Sequence, residues 1–592
     1  SSTRCRPLRR HPVRAVASAI ALVLAAGQAQ GAAFQWTGGA GTSTWNDQDN
    51  WLNLDTGTVS GFPTLGDTAA FGIDAAVRSG AAGGLTVDPG VTVTFGGGGS
   101  DSTDIAGALA NDGILTFTSD GLNNNGSVVD QRLFIAAGST ATLTGSGTLA
   151  LNGRETGVQG GDPSASLVNS AGHSIAGDGT LRDIGLTNTG TLRAEGGTLT
   201  LDSVLVDNTG GTVELAATGT LAARGNSAID GGTLHGDAGA AVQPGNDALR
   251  LADLTLTGSL ELGGGSTSSA AIAGTLTNDA DDTFVVDGLN NDGSRVDQRL
   301  FVEAASTATL AGSGSLALNG VETGIQGGDP TATLVNGAGH TIRSGDGTLR
   351  TITVINQGRI EIADGDALHL RDATIRGGVL DGTGDAHVDR TGGRALLEEM
   401  RWTGALRFGG GSTSSVDIAG TITNDASVTF AADGLNNNSD LVDQRLFIEA
   451  GGTATLAGSG VVGLNGSQTG IQGGGPGTTL VNGPAHGITG SGTLRDLAFT
   501  NQGLVGIGGG TFTFQDVATD NSAGLITVAA DGILTAAGTS SIAGGAIEGH
   551  PGAAIRPGNA ALSLADTRLA GSFGLGAGST STLDIHGTIV ND

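Results

Sequence analysis

Hydrophobic and polar residues alternate along most of this chain in short runs, and each run is closed by Gly, Asn or Asp. The windows "TNTGTLRAEGGTLTL", "INQGRIEIADGDALHL" and "TNQGLVGIGGGTFTF" share this pattern. Each opens on an Asn-x-Gly turn, passes through a short alternating strand, turns again on Gly or Asp and enters a second strand. Side chains alternate across a strand, so Leu199 and Leu201 share one face while Thr198 and Thr200 share the other. Stacked windings of this kind pile the apolar set into one continuous interior and leave Thr, Ser and Asp in water. Helical periodicity is nearly absent beyond the leading segment. The stretch "GGRALLEEMRW" reads equally as a helical turn or a strand edge.

The strand pattern also repeats at long range. The phrase "DGLNNNGSVVDQRLF", ending at Phe134, returns as "DGLNNDGSRVDQRLF" ending at Phe301 and as "DGLNNNSDLVDQRLF" ending at Phe447. A second, Gly-rich phrase marks four starts that align on Gly107, Gly274, Gly420 and Gly587. The first and third intervals are equal and the middle one is shorter. The missing block, about 21 residues or one coil of a solenoid, falls between the equivalents of Leu201 and Ile229. A compact domain seldom survives losing its centre, whereas a solenoid tolerates the loss of a whole coil, because each coil contacts only its neighbours. At about 21 residues per coil the long copies hold about eight coils and the short one about seven. Some 27 coils spaced about 4.8 Å predict a rod on the order of 130 Å long.

The expected fold is therefore all-β, a parallel β-helix (β-solenoid) with an N-terminal cap module. The expected divisions are a signal peptide over 1–33, the cap over 34–95 and solenoid repeats over 96–262, 263–408 (one coil shorter) and 409–575. The start of a fourth repeat occupies 576–592. The chain opens on Ser and closes inside a repeat, from which a fragment is expected.

Composition supports order over disorder. Gly supplies 108 of 592 residues and charged residues only 14%, against about 7% and 25% in ordinary globular chains. Hydrophobic residues still reach 38% and Pro numbers 11, which suits strands and turns better than a low-complexity coil. The formal net charge of -30, with all 27 basic residues Arg, repels nucleic acid and anionic lipid. Nucleic acid is excluded as a partner on that ground.

Residues 1–14 are rich in Arg and lack acids, "AVASAIALVLAA" follows, and then "GQAQGAA". That order is the n-region, h-region and small-residue cleavage site of a secretory signal peptide. The apolar run is shorter than the roughly 20 residues of a membrane span, and no other segment approaches that length. The single cysteine, Cys5, lies in the leader, so the mature chain has no thiol for a disulfide or a Cys-ligated metal.

Three of the four Trp fall in residues 34–95, in "FQWTGGAGTSTWNDQDNWLN" and "GFPTLGDTAAFG". Through Trp36, Trp45, Asn50, Trp51, Pro63, Gly66, Asp67 and Phe71 this module resembles the opening segment of bacterial autotransporter-type passengers and related β-strand-repeat exoproteins. The resemblance covers the module closely and the repeats only in general character. It implies a secreted β-helix, adhesive or matrix-forming, outer-membrane associated in many members through a C-terminal barrel or sorting tail. Physically, a first coil has no neighbour and needs a bulky cap, which is the preferred role for the Trp cluster over a sugar platform.

Candidate chemistry is sparse. Asp130–Gln131–Arg132 recurs as Asp297–Gln298–Arg299 and Asp443–Gln444–Arg445; Asp and Arg two apart on a strand share a face and can pair. A triplicated ion pair fits a structural or avidity role better than catalysis. His173, His340 and His486 recur singly, without a second ligand at metal spacing, and read as turn residues. Glu155 and Glu322 recur too, but Gln468 replaces the third, against a paired-carboxylate hydrolase. "GGGGSDSTD" echoes a calcium-binding nonapeptide at most once per copy. No catalytic, cofactor or metal residue is assigned, and an enzyme is not expected.

The leading functional expectation is a secreted or surface-displayed structural and adhesive rod acting through repeated weak contacts, with cell-surface glycans or matrix proteins, of host or bacterium, as partners. The alternatives are a pectate-lyase-like β-helix enzyme, whose acids would be Glu398 and Glu399 of the middle copy, and a ligand-free spacer.

Overall fold

The computed structural model describes residues 31–592, apart from 98–100, 119–129, 246–248, 265–267, 285–296, 410–413, 432–433, 436–440, 558–560 and 577–581. Of the expected signal peptide over 1–33, residues 1–30 lie outside the described residues while Ala33 already belongs to a strand; most of each "DGLNN" phrase also lies outside them.

Alternating patterns become alternating burial. Ile114–Phe117, Thr191–Ala194 and Arg359–Ile362 each bury every second side chain. The strands stack in parallel, and three of them make one winding. In the first repeat Ala108–Asn111 lies on what we call face 1, Ile114–Phe117 on face 2 and Gln131–Ile135 on face 3. The chain then returns to face 1 at Thr140–Thr144, paired in parallel with Ala108–Asn111. Stacking coil on coil satisfies backbone groups along the rod, buries Leu, Val, Ile and Phe inside and leaves each sheet one wet face. The fold is thus a β-solenoid, of about 21 turns. At about 4.8 Å per turn the rod is about 100 Å long, shorter than the roughly 27 coils expected from sequence would make it. No α-helix occurs among the described residues, and "GGRALLEEMRW" is strand, divided between His387–Glu398 and Arg401–Phe408.

Coil length explains the shortfall. In-register partners on successive turns can be as near in the chain as Ile175 and Leu192, or twice as far apart, as Leu115 and Leu149 are. The number of residues per turn thus varies, so residues cannot be converted to turns at one rate. Leu115 leads through Leu149, Ile175, Leu192, Val213, Leu234 and Leu256 to Asn278, seven turns up face 2. Asn278 is the repeat-equivalent of Asn111, on the face before Leu115. The repeat therefore closes after seven turns and a third, not eight. From Asp282, six such steps reach Asn424, giving six turns and a third for the short copy. The two copies differ by one whole winding.

The leftover third rotates each repeat onto the next face. Gln131–Ile135 lies on face 3, Gln298–Val302 on face 1 and Gln444–Ile448 on face 2. Equivalent features consequently face three directions about the axis.

Tight corners use left-handed residues. Asp253, Asp372 and Asp516 have φ of 49°, 50° and 52°, and the residue above each on the next turn is a Gly, also at positive φ: Gly274, Gly393 and Gly538. The Asp carboxylate accepts the backbone N–H that follows this Gly: Thr275 at 2.9 Å, Arg394 at 3.1 Å and Thr539 at 2.8 Å. A Cβ on Gly393 would sit 1.7 Å from Asp372 Oδ1. Glycine is required there both for its φ and for the space.

The N-terminal end is closed by aromatic packing. Trp36, Trp45, Trp51 and Phe71 pack with ring centroids 4.8 to 6.2 Å apart. Trp45 Nε1 donates to the Pro63 carbonyl and Trp51 Nε1 to that of Trp45. Buried Asn50 donates to the Thr42 and Thr44 carbonyls and accepts from the Ala40 N–H. Asp67 accepts from the N–H groups of Ala32 and Thr64. The antiparallel pairing of Ala33–Trp36 with Trp51–Asn53 belongs to this plug.

Candidate functional site

The three Asp-Gln-Arg motifs sit where a strand begins, immediately after the "DGLNN" phrase, and each occupies a different corner. Arg132 is 4% exposed, with Nη2 3.2 Å from Asp130 Oδ1 and 3.0 Å from Glu155 Oε2 one turn on. Arg299 repeats this with Asp297 at 2.8 Å and Glu322 at 3.2 Å. Arg445 keeps Asp443 at 3.0 Å, and Gln468 stands at the position of the second acid. The structure thus joins two features that were separate in the sequence, the Asp-Gln-Arg motif and the recurrent Glu, into one ion cluster. Burying a guanidinium against two carboxylates anchors the start of the strand and leaves little of the charge to solvent.

The recurrent histidines are buried at corners, each held between two asparagines. His173 Nε2 is 3.1 Å from Asn111 Nδ2, and Nδ1 is 2.8 Å from Asn169 Oδ1. Asn111 Oδ1 accepts the Gly113 N–H, which fixes that amide so that its NH2 faces the ring. The ring must then accept at Nε2 and donate from Nδ1. Asn169 passes the polarity on to Asn188 Oδ1, and Asn188 to Asn208 Oδ1, both at 2.7 Å. Asn424, His486, Asn482, Asn501 and Asn521 repeat the ladder in the third copy. The middle copy, one winding short, has Asn278, His340, Asn336 and Asn356, one amide fewer. Burial lowers all three imidazoles to about 4, so they are neutral at physiological pH.

The remaining candidates are dispersed. Glu398 receives Arg376 at 2.8 Å, while Glu399 occupies a left-handed corner with φ 51°. Of the nonapeptide echo, residues 98–100 lie outside the described residues and Asp101–Ile105 is a strand. Among the described residues, no group of three or more His, Cys, Asp or Glu side chains is placed to hold a metal ion. Nor is any helix among them long and apolar enough to cross a membrane. Trp36, Trp45 and Trp51 are 5%, 1% and 0% exposed, with no face open for stacking on a sugar.

Two features were missed in the sequence. Asp282 points into the interior where Leu115 and Val428 stand in the sister repeats, surrounded by Leu260, Leu300 and Leu316. Burial, and secondarily Asp281, raises it to about 7. A cleft of about 500 Å³ opens in the third repeat between Phe447, residues 473–478, Asp496, Asp516 and Thr539. The matching turns of the other copies carry Asp162 and Asp329, each bonded to a neighbouring hydroxyl, where this one has Gly475. Both features depend on which face a residue meets, and a list of alternating strands does not state that.

Fold and surface together define a capped, acidic β-solenoid whose repeated features face three directions. No protein-family model matches the sequence, and no curated protein matches it. Among solved structures the chain is similar to one titled "Crystal structure of TibC-catalyzed hyper-glycosylated TibA55-350 fragment". The likeness covers 80% of this chain and 99% of that one, at 13% identity and a TM-score of 0.10. That score is too low to carry a conclusion about fold or function.

Proposed function

We propose that the chain is exported and works as a secreted or surface-displayed rod that adheres through repeated weak contacts. The observation that supports this reading best is the threefold recurrence of one ion-anchored corner, turned to a new face in each repeat. Several modest contacts on one stiff support gain strength together without any new chemistry. An Arg-rich leader followed by an apolar run and small residues supports export. The partners proposed are glycans or matrix proteins of cell surfaces.

Beads coated with the full chain at graded density test it against panels of cell-surface glycans and extracellular matrix proteins. Retention that rises more steeply than density is the expected result, the mark of weak contacts acting together. Absence of retention at every density overturns adhesion, and release of sugar fragments from any glycan moves the chain to the enzymes.

A further inference from the structure

The residue just before a left-handed corner forms a column up the rod, and that column changes character in the middle repeat. In the first repeat Arg182 lies in register with Asp202, Nε 3.0 Å from Oδ2. In the third, Arg495 stands opposite Gln515, and its Nε is 3.3 Å from the corner residue Asp496. In the middle repeat Arg350 stands opposite a second arginine, Arg371. Its corner residue is Thr351, at φ 52°, where the sister repeats have Asp183 and Asp496. Both countercharges available in the other copies are missing.

Among the described residues neither Arg350 nor Arg371 has an ion-pair partner. Arg371 is exposed and Arg350 half-buried. Burial, then the like charges of Arg299 and Arg371, pull the Arg350 guanidinium below its ordinary range, against a smaller opposite effect of Asp297 and Glu322. Those two acids are already engaged by Arg299. His369 lies two residues before Arg371 on the same side of the strand, with Asp389 opposite it on the next turn. Like charges directly opposite on neighbouring strands are destabilising, and the fold keeps this pair in an otherwise acidic chain.

We propose that Arg350 and Arg371 form an anion-binding shelf for a linear acidic polysaccharide, with sulfate or carboxylate groups of the polymer bridging the two guanidiniums. Two planar forks one strand spacing apart, about 4.8 Å, offer paired N–H donors to successive oxyanions. The net charge of -30 repels such a polymer at long range. Screening over about 8 Å at physiological salt leaves the contact to the local pair. The proposal rests on the adhesive reading and gives it a ligand class.

The test uses the immobilised full chain with dextran sulfate, polygalacturonate and neutral dextran as probes over a series of NaCl concentrations. At least one acidic polymer should bind tenfold or more tightly than neutral dextran and be released by salt. Arg371→Asp recreates the pairing of Arg182 with Asp202; it should melt no lower than wild type yet lose at least tenfold in acidic-polymer binding. Arg556→Asp, which changes the charge equally at an exposed site elsewhere, should bind as wild type does. Binding of neither acidic polymer, an Arg371→Asp variant that binds normally, or an equal loss in Arg556→Asp each overturns the shelf. Adhesion to cells by a chain whose Arg371→Asp variant still binds the acidic polymers normally removes the shelf and keeps the adhesive reading. Polymer binding through Arg371 by a chain that adheres to no surface does the reverse.

Discussion

At the scale of single residues the interior carries two opposed proton linkages. The three ladder histidines are held near 4, below the ordinary 6.5. The unfolded chain therefore takes up protons that the folded chain refuses. Their stabilisation is complete above about pH 6.5 and is lost as pH falls to about 4, on the order of 3 kcal/mol for each ladder. Asp282 runs the other way. Held near 7 against 3.8, it favours the fold fully below pH 3.8 and ceases to do so as pH rises through 7. Denaturant midpoints measured from pH 8 to pH 4 should show both effects. Asp282→Leu should raise stability at pH 8 by on the order of 4 kcal/mol and flatten the alkaline side; His340→Asn should lessen the acid-side loss by about a third, since His173 and His486 keep theirs. The corners make a separate prediction. Gly393→Ala meets Asp372 at 1.7 Å and strains a φ of 58°. It should lower the melting temperature, with a cost of about 1–3 kcal/mol. The same substitution at Gly365, where a Cβ meets nothing, should cost less.

Single strands were the most legible scale. Leu199 and Leu201 are fully buried and Thr198 is half-buried, as the alternation predicts, but Thr200, expected in water, is buried too, at 4% exposed. The Asp-Gln-Arg motif was visible as a pair, but its third member, Glu155, lay hidden because turn-to-turn partners are separated by coils of unequal length. Arg350 and Arg371 were obscured for the same reason. They meet only because the middle copy replaces Asp202 with an arginine after small shifts in spacing. "GGRALLEEMRW" was ambiguous by period; pairing with the turns on either side decides it as strand. What an element tolerates follows from register. Leu205 pairs with Ala228, so deleting residues 205–227 removes one closed winding. That variant should keep its far-ultraviolet circular dichroism and melt cooperatively. Removing only residues 205–214 leaves the next strands out of register and should yield aggregated protein on gel filtration.

For the whole molecule, repeat spacing revealed a solenoid and the unit that had been lost, but not the number of turns. Dividing the chain by one uniform coil length treats every added residue as if it lengthened the rod. The long segment from Leu115 to Leu149 advances the rod by a single step of rise, and several such steps reduce it to about 100 Å. Small-angle scattering on the full chain should return a cross-section that stays constant along a solenoid body of about that length. A body of about 130 Å, the length of uniform short coils at the strand spacing, would restore the original count.

The odd third of a turn in every repeat has a mechanical result. A cylinder whose contact points shared one azimuth would have to land that side down before it could hold. Here the equivalent corners are phased at thirds of a revolution, so, on the adhesive reading proposed above, the cylinder can roll to any angle on a flat support and still bring one of them near it. Because the shortened copy lost a complete revolution, everything beyond it keeps its heading.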